Sequence, residues 1–209
     1  MTGRRARAIR AIVAKDVRVA FASKAVLVPF IVVPVLFTVG LPLLFALIAP
    51  AAADQGGDLV RQLGELSPTL LASVEGLDDP QKVVVLGLVY LLAPLLLVVP
   101  LMFASVLAAD SFAGEKERKT LEALIYSPVS DRDLLSAKML SAWLPAVTLG
   151  LGAFALYCLT ANIAAWPVMG RVFLPTWMWV VLALWVMPAA AAVGLGATVL
   201  VSARVSTFQ

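Results

Sequence analysis

The sequence predicts an all-α fold, a polytopic membrane helix bundle entered through an N-terminal interfacial helix. Composition is the first observation behind it: 62% of the 209 residues are hydrophobic and 14% charged, with a mean hydropathy of +0.98, whereas a soluble domain is about half apolar and about a quarter charged. The second is four charge-free runs, each long enough for the roughly 20 helical residues that cross about 30 Å of hydrocarbon. No polar stripe interrupts them, as it would in a soluble bundle. The third is the placing of Lys and Arg, which crowd one set of loops and avoid the other.

Residues 1–24 form the interfacial helix. Ile9, Ile12, Val13, Val17, Ala20 and Phe21 share one helical face, and Arg4, Arg7, Lys15 and Arg18 fall on the other. Such a helix lies in the membrane surface with its cationic side toward anionic headgroups. Asp16 sits in the middle of the apolar face, where a carboxylate needs a partner, and a base of the next cytoplasmic loop is a candidate.

The remainder, residues 25–209, reads as the transmembrane domain, with spans at about 25–50, 83–109, 139–162 and 177–203. Prolines 29, 34, 42, 94, 100, 145 and 188 lie in or at the ends of these runs, where each removes a backbone donor and tends to kink the helix. Arg4, Arg5, Arg7, Arg10, Lys15, Arg18 and Lys24 precede the first span, and Lys116, Arg118, Lys119, Arg132 and Lys138 separate the second from the third. The loop 51–82 instead carries Arg61 and Lys82 against Asp54, Asp58, Glu65, Glu75, Asp78 and Asp79. The positive-inside rule therefore places the N-terminus and the loop 110–138 in the cytoplasm and 51–82 outside. Ala51-Ala52-Ala53 resembles a signal cleavage site, but the apolar run before it far exceeds the usual length of about 7–15 residues. In the external loop, Leu59, Leu63, Leu66, Leu70 and Leu71 are spaced for a short helix on the outer surface.

Several chemistries are excluded. There is no histidine, hence no histidine triad, HExxH zinc site or histidine relay within these residues. Cys158, the one cysteine, has no partner for a disulfide or a CxxC site and reads as packing. The net charge of +3, spread along the membrane normal, does not describe a nucleic-acid binder. No GxxxxGK[ST] loop or GxGxxG turn occurs, so ATP-driven work would require a partner. No catalytic, cofactor-binding or metal-binding residue is predicted.

The loop between the second and third spans is different in kind. SFAGEKERKTLEALIYSPVSDRDLLSAK, residues 111–138, is dense in charge yet has its own helical pattern, more than a connector needs. Thr120 can cap a short helix with Leu121, Leu124 and Ile125 on one side and Glu122 near its positive end. Ser127-Pro128 stops it. Ser130 and Asp133 then resemble a capping box at the start of the helix feeding the third span. A short amphipathic helix held between two long ones is shaped to transmit force from a cytoplasmic partner. The plain alternative, a solvated hairpin with i,i+4 charge pairs, stays open at this point.

GEKERKTLEALIYSPVSDRDLLSAK (114–138), with AKDVRVAFASKAVLVPFIVVPVLF (14–37) and SARVSTFQ (202–209), resembles the membrane subunit of type-2 ABC transporters, the permease family that includes sodium, drug and polysaccharide exporters. The resemblance implies a cytoplasmic coupling helix that docks in a groove of a separate ATPase subunit through Glu115, Lys116, Glu117, Arg118, Thr120, Leu121, Glu122, Leu124 and Pro128. It places Arg7, Lys15, Asp16 and Arg18 in the family's interfacial helix. It further implies export across the plasma membrane, a second permease subunit in a homo- or heterodimer, contact with membrane lipids but not nucleic acid, and no cofactor bound directly, ATP being used by the ATPase partner. Family members carry six spans where four are found here, so two more are expected beyond this C-terminal end. The rival expectation is a non-transporting membrane scaffold or assembly protein that uses the loop to recruit a soluble partner.

The spans hold no Asp, Glu, Lys or Arg, the usual mark of an ion pathway. Their polar residues, Thr38, Tyr90, Ser105, Ser141, Thr148, Tyr157, Thr160, Asn162 and Thr198, read mainly as packing or backbone-bonding groups. PAAAAVGLGAT, residues 188–198, sets Ala190 with Gly194 and Ala192 with Gly196 at four-residue spacing, suited to close helix contact within the subunit.

Overall fold

The computed structural model describes the backbone of residues 2–22, 24–52, 67–117 and 131–204, and among these every regular element is helical. The N-terminal helix is Thr2–Ala22. Four helices are long and apolar enough to cross a membrane: Leu27–Ala52, Asp79–Ser111, Arg132–Ala164 and Trp177–Ser202, hereafter the first to fourth spans. The second and third run for 33 residues each, about 50 Å at 1.5 Å per residue. That exceeds the hydrocarbon thickness, so charged residues absent from the apolar runs, such as Asp79, Lys82, Asp110 and Lys138, are still helical. A short helix, Pro68–Ser73, contains Leu70 and Leu71 of the leucine-rich external segment, while Leu59, Leu63 and Leu66 lie outside the described residues.

The chain forms two compact units: Met1–Val32 with Val99–Leu151 and Leu184–Gln209, and Val33–Val98 with Gly152–Ala183. In the first, Phe30 is buried between Phe21, edge-on at 5.9 Å, and Phe103, tilted at 4.3 Å. Close backbone approach depends on glycine at two places. A Cβ on Gly194 would lie 2.9 Å from the Leu101 carbonyl oxygen and 3.0 Å from Ser105 Oγ, and one on Gly150 would lie 2.7 Å from Met187 Sδ. The small-residue stripe therefore packs within the subunit along its Gly194 register. Its other register is open: Ala192 is exposed, and a Cβ on Gly196 would meet nothing within 4 Å.

In the second unit the core is built around a break in the second span. Residues Val85–Leu91 are π-helical, with the Leu92 N–H bonded to the Gly87 carbonyl, five residues back. Ordinary α-helix resumes at Leu92, with Pro94 in its first turn. The indole of the fully buried Trp179 donates from Nε1 to Val89 O at 2.8 Å, and Tyr157 Oη donates to Leu88 O at 2.6 Å, so two side chains bond the carbonyls of the widened turn. The two rings stack at 4.7 Å. Two more π-turns, Leu36–Gly40 and Leu182–Val186, likewise lie just ahead of prolines, at 42 and 188, so the predicted kinks are expressed as local widening of the helix. Pro188 O accepts from Trp143 Nε1 at 3.0 Å, within the first unit.

Trp179→Phe should remove a buried hydrogen bond to Val89 O and lower unfolding stability by about 0.5–1.5 kcal/mol, read as an earlier thermal transition of the detergent-solubilised chain. Trp185→Phe, at an exposed position, should not. In the same assay Gly194→Val should be destabilising by about 1–3 kcal/mol through overpacking, while Gly196→Ala should be neutral or slightly stabilising.

Candidate coupling site at the loop roots

The predicted coupling loop hangs between two long helices. The second span continues as helix Val98–Glu117, so the backbone of Glu115, Lys116 and Glu117 extends it. Arg118, Thr120, Leu121, Glu122, Leu124 and Pro128 lie outside the described residues. Helix resumes at Asp131 and runs to Ala164, directly after Ser130, where a cap was expected, although Ser130 is itself outside the described residues.

Where these helices meet, a buried polar cluster joins them to the N-terminal helix. Lys138, only 3% exposed, donates from Nζ to the Ser111 carbonyl at 3.0 Å, tying the third span to the second. Ser141, one turn on, lies 2.8 Å from Lys138 O and 3.4 Å from Asp16 Oδ2. Its hydroxyl has one proton, so the nearer carbonyl takes most of it and the carboxylate receives the weaker share. Asp16, whose side chain is 8% exposed, also lies 3.1 Å from Lys15 Nζ. Its partners here are thus its chain neighbour and a third-span hydroxyl, and the loop base Lys138 approaches it through Ser141.

The N-terminal helix presents its two faces differently. Ile9, Ile12, Val13, Asp16, Val17 and Phe21 are half-buried, while Arg7, Lys15 and Arg18 are exposed. Among the described residues no group of three or more His, Cys, Asp or Glu side chains could hold a metal ion. What the arrangement can do is mechanical, because helices joined by buried polar contacts move together at the base of the loop. Lys138 and Ser111 were not separable from ordinary loop residues in the sequence. The one available signal was position, a lysine four residues past Leu134 on the buried side of the helix that enters the third span.

A comparison with family models matches residues 10–208 to the ABC-2 family transporter protein. The chain belongs to the ABC-2 transporter family. No curated protein and no solved structure matches it. With four membrane-length helices, this ABC-2 protein is a multi-pass membrane protein and a permease subunit of an ABC transporter.

Most of the polar residues in its spans are occupied with backbone. Thr38 donates to Pro34 O, Thr148 to Leu144 O and Pro145 O, Thr160 to Leu156 O, and Thr198 to Gly194 O. Asn162 makes a clasp: Nδ2 donates to Cys158 O and Leu174 O, both at 2.7 Å, and Oδ1 accepts from the N–H groups of Phe173 and Leu174.

Asp16→Lys should place two ammonium groups side by side where the structure has one carboxylate, and release the N-terminal helix from the third span. Amide hydrogen exchange over residues 9–21 should rise at least tenfold, a change of about 1.4 kcal/mol. Lys15→Gln, at a half-exposed position, should change it less than about threefold, as a surface pair is worth about 0–1 kcal/mol.

Proposed function

We propose that this ABC-2 permease is the membrane half of an ATP-driven exporter, with its N-terminus in the cytoplasm and its 111–138 loop docked in a groove of a separate ATPase subunit. The observation that carries the reading is that the family match spans residues 10–208, a range that includes the loop, while both chain segments at its roots are long helices joined through Lys138 and Ser111. A push on such a loop is delivered to the second and third spans as rigid-body displacement, which requires no covalent chemistry in this chain. Glu115, Lys116, Glu117, Arg118, Thr120, Leu121, Glu122, Leu124 and Pro128 would form the docking surface.

Two permease subunits, alike or different, would work with two ATPases, and ATP would be consumed by the partner. The distribution of Lys and Arg supports the orientation, and the family resemblance supports export. The hydroxyls of the spans are largely turned to their own backbone, and the spans carry no charge in their apolar runs, which favours an amphipathic or lipid-like cargo over a small ion.

The test is co-purification from the native membrane, with and without residues 115–128, followed by an ATPase assay. An ATPase should accompany only the intact chain, and Glu117→Lys or Leu121→Asp should cut the permease-stimulated rate at least tenfold while leaving the thermal transition of the spans unchanged. Normal stimulation in both variants would overturn the docking assignment. Recovery of a partner with no ATPase activity would favour a membrane scaffold.

A further inference from the structure

The second unit contains an apolar cavity of about 690 Å³ at the end of the third span, lined by Cys158, Leu159, Ile163, Trp166, Val172 and Leu174 among others. Its volume is that of a ligand pocket, and its walls are fixed rather than loose. The connection that forms one side is held to the span by the Asn162 clasp. The short helix Trp166–Met169 is closed by Gly170 in the left-handed conformation, with its N–H on Trp166 O at 2.9 Å. That helix is also pinned from behind by Gln81 Nε2, which donates to Val168 O at 3.2 Å.

The cavity is not sealed. Leu159, Ile163, Trp166 and Val172 are all exposed, so it opens along the membrane-facing side of an apolar helix. Asn162 also lines it, but its amide is already bonded on both atoms, leaving the walls effectively hydrocarbon. The residue before Val172 in the chain is Arg171, which is exposed and forms no ion pair with any described residue. Exposed Trp166 and Trp177 mark the same stretch as membrane-interface surface.

An apolar slot with an exposed guanidinium one residue beyond its lining, in a stretch marked by interfacial tryptophans, is complementary to one class of molecule. We infer that this cavity binds an anionic glycerophospholipid of the surrounding bilayer, one acyl chain lying in the slot and the phosphate paired with Arg171. The site does not depend on ATPase coupling or on transport direction, so it stands or falls separately from the exporter reading.

The full chain in nanodiscs tests it, with bromine-labelled phosphatidylglycerol or phosphatidylcholine added as a minor component. The signal is the fluorescence of Trp166, taken as the difference between the chain and its Trp166→Phe variant. Phosphatidylglycerol should quench Trp166 at about fivefold lower mole fraction than phosphatidylcholine, which corresponds to the ~1 kcal/mol that one arginine supplies at an anionic surface. Arg171→Gln, at an exposed position, should abolish the preference, and Val172→Trp, placed to fill the slot, should weaken the site for both lipids. Equal quenching by the two lipids in the parent chain would overturn the proposal, as would a preference that survives Arg171→Gln. Absence of lipid quenching at Trp166, with another protein chain recovered on this face, would assign the slot to a subunit contact and overturn it as well.

Discussion

In hydrocarbon a backbone carbonyl or N–H that lacks a partner has no water to turn to, and that constraint governs how these helices are built. Seven prolines placed in or beside the apolar runs each remove a donor. In the second span the carbonyls of Val89 and Leu88 accept from the indole of Trp179 on the fourth and the hydroxyl of Tyr157 on the third. The aromatic stack of the second unit thus sits where the helix is widened and its carbonyls can be reached from the side. Threonine hydroxyls in the spans answer the same need locally by donating to carbonyls one turn back.

The four-helix architecture was legible because it follows from length and polarity alone. Absence of charge over 20 or more residues leaves a helix few alternatives, and the helices appear where the runs are. Helix ends were less legible. The second and third spans extend past the apolar runs because helical hydrogen bonding continues through charged residues once the chain leaves hydrocarbon, as at Asp79 and Lys138. The π-turns could not be read either, although proline marks their neighbourhood. Whether a chain widens or breaks there depends on a donor from another helix, and Trp179 lies 90 residues from Val89. Trp177 and Trp179 stand two residues apart where the fourth span begins, yet the first is 79% exposed and the second fully buried against Val89 of the second span.

The candidate site shows the same division. Asp16 was conspicuous because a carboxylate on an apolar face is costly without a partner. Its partner was not readable, since Ser141 is 125 residues away. Lys138 looked like one more cytoplasmic base in the orientation count, whereas it is buried on the Ser111 carbonyl. A lysine can take that position because its long apolar stem packs among the helices while the ammonium reaches a backbone acceptor. The residues proposed for docking from Arg118 to Pro128 lie outside the described residues, and the expectation for them comes from the family resemblance.

These contacts bear on how distant segments of the chain are held to one another. The buried cluster joins three segments that are distant in sequence: the N-terminal helix through Asp16, the end of the second span through Ser111, and the start of the third through Lys138 and Ser141. The Lys138–Ser111 contact is short and buried, so parting the second and third spans there would leave an ammonium unpaired in an apolar setting, while the longer Ser141–Asp16 contact ties the N-terminal helix more weakly. Such a junction resists small independent movements and favours displacement of the three segments as a body. A displacement of one of these segments would then be carried to the others at the helix roots, and the cost of burying the Lys138 ammonium is met in part by its bond to the Ser111 carbonyl.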